Sequence, residues 1–127
     1  VEGVIVSNTT LSRVGLNSPN QKEGGGLSGA PLFEKSTVVL AKMRKMLGQD
    51  IALIGVGGIN SAATAFAKIE AGADLVQLYT GFIYEGPGLP VGILGGLSNQ
   101  LDREGLESIS EAKGRTTDAW AAKPLTA

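Results

Sequence analysis

Short apolar runs rich in β-branched residues alternate along this chain with longer stretches whose apolar positions repeat every three or four residues. Val4-Ile5-Val6, Ile51 to Ile54 and Leu75 to Leu78 are the short runs, and runs of that length with little polar alternation are expected of strands covered on both faces. Helical spacing over about Thr37 to Leu47 places Val39, Leu40, Met43, Met46 and Leu47 on one stripe, with Gly48 ending it. A second helix is expected over about Ser61 to Ala71, capped by Asn60 or Ser61 and stopped at Gly72. A third runs from about Leu89 to Arg103 and stops at Gly105; Gly92, Gly95 and Gly96 loosen it by roughly 0.5–1 kcal/mol each relative to Ala. Ser108 and Glu111 have the spacing of a capping box for a short last helix.

Strand then helix, repeated, implies parallel strands joined by right-handed crossovers. Both an open doubly wound sheet and a (β/α)8 barrel are built that way. A barrel takes roughly 250 residues, and an open sheet of so few strands leaves apolar edges bare. The 127 residues therefore read as the last three strand-helix units of an α/β barrel, residues 1–127 being the C-terminal part of an incomplete domain. The opening at Val1, without Met, reads as a cut through a longer protein. From Asn8 to about Ser36 no periodicity is visible. Structureless connections beyond ~12–15 residues are uncommon unless functional, so a mobile or ligand-covering loop is expected there, followed by a tightly built Gly25–Gly29.

Composition narrows the chemistry. Apolar residues make up 43% of the chain and charged residues 18%, the balance of a globular protein. The formal charge is −1, with no cluster of Lys and Arg to follow a phosphate backbone, which argues against nucleic acid as a partner. With neither Cys nor His, disulfides, thiolate nucleophiles and the commonest metal ligands are missing, and no metal site is expected. Acid–base work falls to Asp, Glu, Lys, Tyr or Ser, or to a segment outside these residues. No apolar run approaches the ~20 residues of a membrane span.

Each expected strand ends in a polar or glycine-rich cluster, and in a parallel α/β fold all three fall on the rim where active sites assemble. Ser7-Asn8-Thr9-Thr10 offers amide and hydroxyl groups that suit a planar ring carrying carbonyls and N–H groups, or equally a turn or helix cap. Gly55-Val56-Gly57-Gly58-Ile59-Asn60 lets a phosphate approach backbone N–H groups at a helix start. Asn60 stands where a dinucleotide fingerprint needs its last glycine, and no Gly-Lys-Ser/Thr comes after it for a P-loop; a tight turn is the alternative. Leu78-Tyr79-Thr80-Gly81 completes the same phosphate site if the two clusters lie side by side, as the loops after the last two strands of a barrel frequently do.

Five segments in order, Val6–Thr10, Gly25–Leu32, Ile54–Ile59, Leu75–Thr80 and Tyr84–Pro87, resemble the class 2, quinone-dependent dihydroorotate dehydrogenases over about Gly3 to Trp120. The resemblance implies a barrel that holds FMN at its C-terminal rim and oxidises dihydroorotate to orotate in pyrimidine (UMP) biosynthesis, with a quinone as electron acceptor. Residue by residue, Ser7 matches a flavin contact, and Asn8 and Thr9 match the pair that hydrogen-bonds the pyrimidine ring. Gly29, Gly58, Tyr79 and Thr80 match flavin-binding positions, the last three around the phosphate. Leu78, Phe82, Ile83 and Leu89 would wall an apolar path for the quinone, or equally pack the barrel against its last helix. The family's serine base, a lysine beside the flavin and the helical pair that forms the membrane attachment match nothing here and are expected upstream of Val1. No catalytic residue is therefore expected in this chain, the missing N-terminal part is its partner, and the parent protein is expected at a bacterial or mitochondrial inner membrane. Two alternatives remain: a truncated or split non-catalytic fragment, and another phosphate-binding barrel flavoenzyme.

Overall fold

The computed structural model describes residues 1–125. Strands β1 (Gly3–Val6), β2 (Ala52–Val56) and β3 (Leu75–Gln77) form one parallel sheet in the order β1-β2-β3. Helix α1 (Phe33–Leu47) connects the first pair and α2 (Ala62–Glu70) the second. After β3 come α3 (Thr80–Glu85), α4 (Leu89–Glu104), α5 (Ile109–Ala112) and α6 (Thr117–Ala121).

The register fixes which side chains face which way. Val4 pairs with Leu53, Val6 with Gly55, and Gly55 with Val76, so these residues share one face. That face packs against α1 and α2, with Val6, Leu40, Ala41, Leu53, Ala71 and Ala73 as its core. The opposite row, Ile5-Ile54-Leu75, is uncovered: Ile5 is 53% exposed and Leu75 61%. Both rows are apolar because the sequence has almost no alternation, the pattern of a sheet meant to be covered twice.

Several boundaries differ from the expectation. Helix α1 starts at Phe33, inside the stretch read as loop, where the turn Ala30–Leu32 with its Pro feeds straight into it. Its buried stripe is Thr37, Leu40, Ala41 and Arg44, and Met46 is 71% exposed. The apolar spacing missed this because two stripe members are polar side chains whose hydrogen bonds are satisfied internally. Thr37 Oγ1 donates to the Phe33 carbonyl at 2.6 Å. Arg44, 2% exposed, donates to the carbonyls of Gly72 (2.8 Å), Gly48 (2.7 Å) and Ile51 (3.1 Å) and pairs with Asp74.

Strand β2 extends past Gly55 to Val56, and α3 and α6 lie where no helix was expected. Ser61 caps α2 in a reciprocal box with Thr64, and Ser108 caps α5 with Glu111. In α4, a Cβ on Gly96 would overlap Ala62 of α2, whereas Gly92 and Gly95 have open space. Gly96 is thus a close-packing position that lets α4 lie on α2, where Ile59, Ala65 and Ile93 form a second small core.

The long connection after β1 is organised as well. Thr10 and Leu27 exchange backbone hydrogen bonds at 3.0 and 2.7 Å, closing a flap of residues 11–26. Arg13 reaches across it to the carbonyls of Glu23 (3.2 Å) and Gly25 (2.6 Å). One arginine thus gathers a polar segment that buries nothing of its own.

Candidate functional site

The three strands end side by side, and the turn after each strand has a specific local geometry. After β1 the backbone leaves the sheet at Ser7, and the Asn8 Oδ1 accepts the Thr9 N–H at 2.8 Å. The Asn8 amide oxygen is thus engaged within the turn, and Asn8 lines the cleft. After β2, Gly57 (φ 100°) and Gly58 (φ 73°) adopt conformations that L side chains rarely take. A Cβ on Gly58 would overlap the backbone of Phe33, so the turn is pressed against the first residue of α1. After β3, Thr80 opens α3, and its hydroxyl lies 2.7 Å from that of Ser28. A Cβ on the next residue, Gly81, would overlap the Ile59 carbonyl, so the second and third turns are in direct contact.

These segments enclose a cleft of about 310 Å³. Ser7, Asn8, Thr9, Gly29, Gly58, Tyr79 and Thr80, singled out in the sequence, all line it. An adjoining cavity of about 650 Å³ shares Ser28, Gly29, Gly58, Ile59, Thr80 and Gly81 and continues along Asn60 and Tyr84. A larger groove, about 840 Å³ between α2 and α4, contains none of the seven.

Among the described residues, the N–H groups of Gly58, Ile59, Thr80 and Gly81 have no hydrogen-bond acceptor. By contrast, the N–H groups of Asn60 and Ser61 are already taken by Thr64 Oγ1, each at 3.1 Å. Unpaired backbone donors grouped around glycines are what an anion with several acceptor oxygens requires. No residue lining the smaller cleft is a carboxylate, lysine or arginine. Its polar lining is hydroxyl, amide and backbone groups, which can bind and orient a ligand.

A family model described as dihydroorotate dehydrogenase matches residues 1–101. The chain belongs to the dihydroorotate dehydrogenase family. It is 66% identical over 126 residues to the dihydroorotate dehydrogenase (quinone) of Brucella ovis and 65% identical to that of Brucella melitensis biotype 2. In both cases 98% of this chain is covered, and the chain spans 35% of the relative's length. Among solved structures it is similar to DHODH from Eimeria tenella in complex with ferulenol, with a TM-score of 0.85 and 39% identity over 89% of this chain and 30% of that one. The ligand-free type from the same organism gives 0.86 and 37%, over 97% of this chain and 33% of that one. The parallel strand-helix units are thus part of a (β/α) barrel, as the alternation in the sequence implied.

Within that family frame, sequence reasoning missed Ser28 and Gln77, which also line the cleft, where Gly81 of the third cluster stands as well. Ser28 was visible only as the middle of a glycine-rich motif. Gln77 stands two residues from Leu75 on the same uncovered sheet face, so counting alternate positions from the strand would have placed it. Of the side chains expected on the apolar path, Leu78 and Leu89 are partly buried against Ile59 and Ile93, the packing role that was the alternative for them. Phe82 and Ile83 do face outward, because a helical turn separates them from that core contact. Among the described residues no helix is long and apolar enough to cross a membrane, and no group of three His, Cys, Asp or Glu is placed to hold a metal.

Proposed function

We propose that this chain is the flavin-phosphate and pyrimidine-reading part of a dihydroorotate dehydrogenase that oxidises dihydroorotate to orotate in UMP biosynthesis and passes the electrons to a quinone. One observation carries the reading: seven residues chosen for flavin and pyrimidine roles, from separate segments of the chain, line a single cleft at the strand ends. The uncovered row Ile5-Ile54-Leu75 supports the companion reading, that residues 1–127 are the C-terminal part of a larger barrel whose remaining strands cover this face.

The site fits FMN. Its phosphate suits the unpaired N–H groups of Gly58, Ile59, Thr80 and Gly81, with the Thr80 hydroxyl beside them. Gly29, held at φ 83°, keeps the cofactor's path beside Thr80 clear, because a Cβ there would lie 3.1 Å from Thr80 Cγ2. Tyr79 stands beside Thr80 at this phosphate end, and Ser7 would contact the flavin from the end of β1. When bound, FMN supplies a two-electron acceptor for hydride leaving the substrate. Asn8 and Thr9 hold the pyrimidine ring: the Asn8 NH2 donates to a ring carbonyl, and the Thr9 hydroxyl either donates or accepts. Oxidation also releases a proton. The cleft lining holds no carboxylate or lysine, and the serine base that the family uses matches none of its residues, so the base is proposed to come from the part of the enzyme upstream of Val1.

The acceptor reading rests on the exposed apolar surface next to the cleft. Tyr79, Ile83 and Tyr84 are 74%, 67% and 84% exposed, a surface suited to a lipid-soluble acceptor or to the segment that guides one in. A lipid-soluble acceptor in turn calls for a peripheral membrane location of the complete enzyme. The test uses the complete enzyme carrying this segment. Its purified form should contain FMN that bleaches with dihydroorotate and recovers with a quinone analogue faster than with fumarate or NAD. Bleaching by dihydroorotate with preferential recovery by fumarate would move the protein to the soluble class and leave the substrate assignment standing. Absence of flavin would sink the cofactor assignment.

A further inference from the structure

Behind the Gly57–Gly58 turn, on the side away from the cleft, lies a lysine that takes no part in lining the cleft. Lys68 projects from α2 into the space between α1, α2 and β2 and is 0% exposed. Its ammonium donates to Ser36 Oγ and, at 3.4 Å, to the Phe33 carbonyl, and it lies 5.1 Å from the centre of the Phe33 ring. Among the described residues no carboxylate is in ion-pair range of it. A fully buried, unpaired ammonium is costly, and burial alone pulls this one from 10.5 down to about 7.

Ser36 passes the contact on. Its Oγ lies 3.1 Å from both the Phe33 and the Gly57 carbonyls. The Phe33 carbonyl already accepts from Thr37 Oγ1 at 2.6 Å, so the single Ser36 proton is best used at Gly57. With Lys68 donating to its oxygen, the Ser36 hydroxyl is polarised as a donor. The Gly57 carbonyl is thereby anchored away from the cleft. In a planar trans peptide the N–H points opposite to the C=O, so the same anchor aims the Gly58 N–H into the cleft, where it has no protein acceptor.

We propose that Lys68 is a positioning residue for the cofactor phosphate: through Ser36 and the Gly57 carbonyl it orients the Gly58 N–H and places an otherwise unpaired positive charge behind the anion. The inference rests on the FMN reading above. Among the described residues no anionic group answers the Lys68 charge, whose contacts are the Ser36 hydroxyl, the Phe33 carbonyl and the Phe33 ring, whereas a phosphate on the other side of one peptide would.

The experiment compares Lys68→Met and Ser36→Ala with wild type in the complete enzyme. Affinities of the flavin-free protein for FMN and for riboflavin, which lacks the phosphate, are measured by fluorescence quenching, with thermal melting to report the fold. Lys68→Met should weaken FMN by about tenfold, the loss expected for one oriented hydrogen bond to a charged group, while riboflavin affinity stays near wild type. Ser36→Ala, a smaller change that spares the fold if Lys68→Met does not, should lower the same preference. The double variant should be no worse than the poorer single one, because both cut one chain of contacts. FMN and riboflavin weakened equally, or an unchanged preference in Ser36→Ala, overturns the proposal. Wild type that does not distinguish FMN from riboflavin overturns the cofactor reading beneath it.

Discussion

Ser28 and Thr80, 52 positions apart in the chain, hold their hydroxyl oxygens 2.7 Å apart and so join the segment before α1 to the end of β3. Each hydroxyl has one proton and two acceptor sites, so the pair retains capacity for a further oxygen. The cleft and the adjoining cavity both include them, at the junction where the cofactor phosphate is proposed to sit. Thr80→Val keeps the shape and removes the hydroxyl. It should lower FMN retention by roughly five- to tenfold, the equivalent of about 1–1.5 kcal/mol for a lost hydrogen bond, with less effect from Ser28→Ala. Flavin-to-protein ratios after gel filtration decide it, and wild-type ratios in Thr80→Val would remove Thr80 from the phosphate site.

Asn8→Ala should leave FMN bound and slow its reduction by dihydroorotate. The Asn8 oxygen already serves the Thr9 N–H, so the variant loses both the ring contact and the turn that presents it. At roughly 1–3 kcal/mol for a polar group left unpaired, kcat/KM should fall by about one to two powers of ten. Stopped-flow bleaching that matched wild type would return Asn8 to a purely local role in the turn.

For Gly58 the structure changes what a substitution is expected to do. From the sequence alone, a side chain there is expected to cost flavin binding more than it costs the fold. Because a Cβ would overlap the Phe33 backbone, Gly58→Val should also displace the first turn of α1. Gly15 is a matched control, with φ 81° and nothing within 4 Å of an added Cβ. Gly15→Ala should cost about 1–2 kcal/mol for the left-handed backbone alone, and Gly58→Ala roughly 1–3 kcal/mol more from overpacking. Equal urea midpoints for the two alanine variants would contradict the packing argument.

Asp74 ties the opposite end of the sheet. Burial on its own would raise this carboxyl, but hydrogen bonds from Lys113, the Leu53 N–H and Arg44 outweigh burial and hold it below its ordinary 3.8. A depressed carboxyl contributes stability that is complete above the unfolded value and is lost as pH falls through the native one. Wild type should therefore lose more stability than Asp74→Asn between about pH 5 and pH 2. At neutral pH, Asp74→Ala should cost on the order of 3 kcal/mol, because it leaves the buried Arg44 without its counter-charge. Denaturant melts across that pH range test both statements, and parallel pH profiles for wild type and Asp74→Asn would exclude a stabilising role for the ionised carboxyl.

The strands, the helix stops at Gly48, Gly72 and Gly105, and the caps at Ser61 and Ser108 were legible along the chain because each is set by neighbours within a few residues. β-branched runs, left-handed glycines and reciprocal side-chain caps are local physics, and parallel strand-helix alternation then dictates that Asn8, Gly58 and Thr80 share one rim. The features that the chain alone did not disclose depend on groups far apart in it. The first turn of α1 lies in apparent loop because its buried member, Ser36, is polar and is satisfied by the distant Gly57 carbonyl, and the stripe beyond it is completed by Thr37 and Arg44, the latter bonded to Gly72 and Asp74. Gly96 reads as a weak helix position until Ala62 is seen against it. Lys68 reads as one more surface lysine on an amphipathic helix. Only the packing of α2 on α1 and β2 buries it behind the glycine turn, since burial and polar satisfaction are properties of which surfaces meet, and no local pattern encodes that.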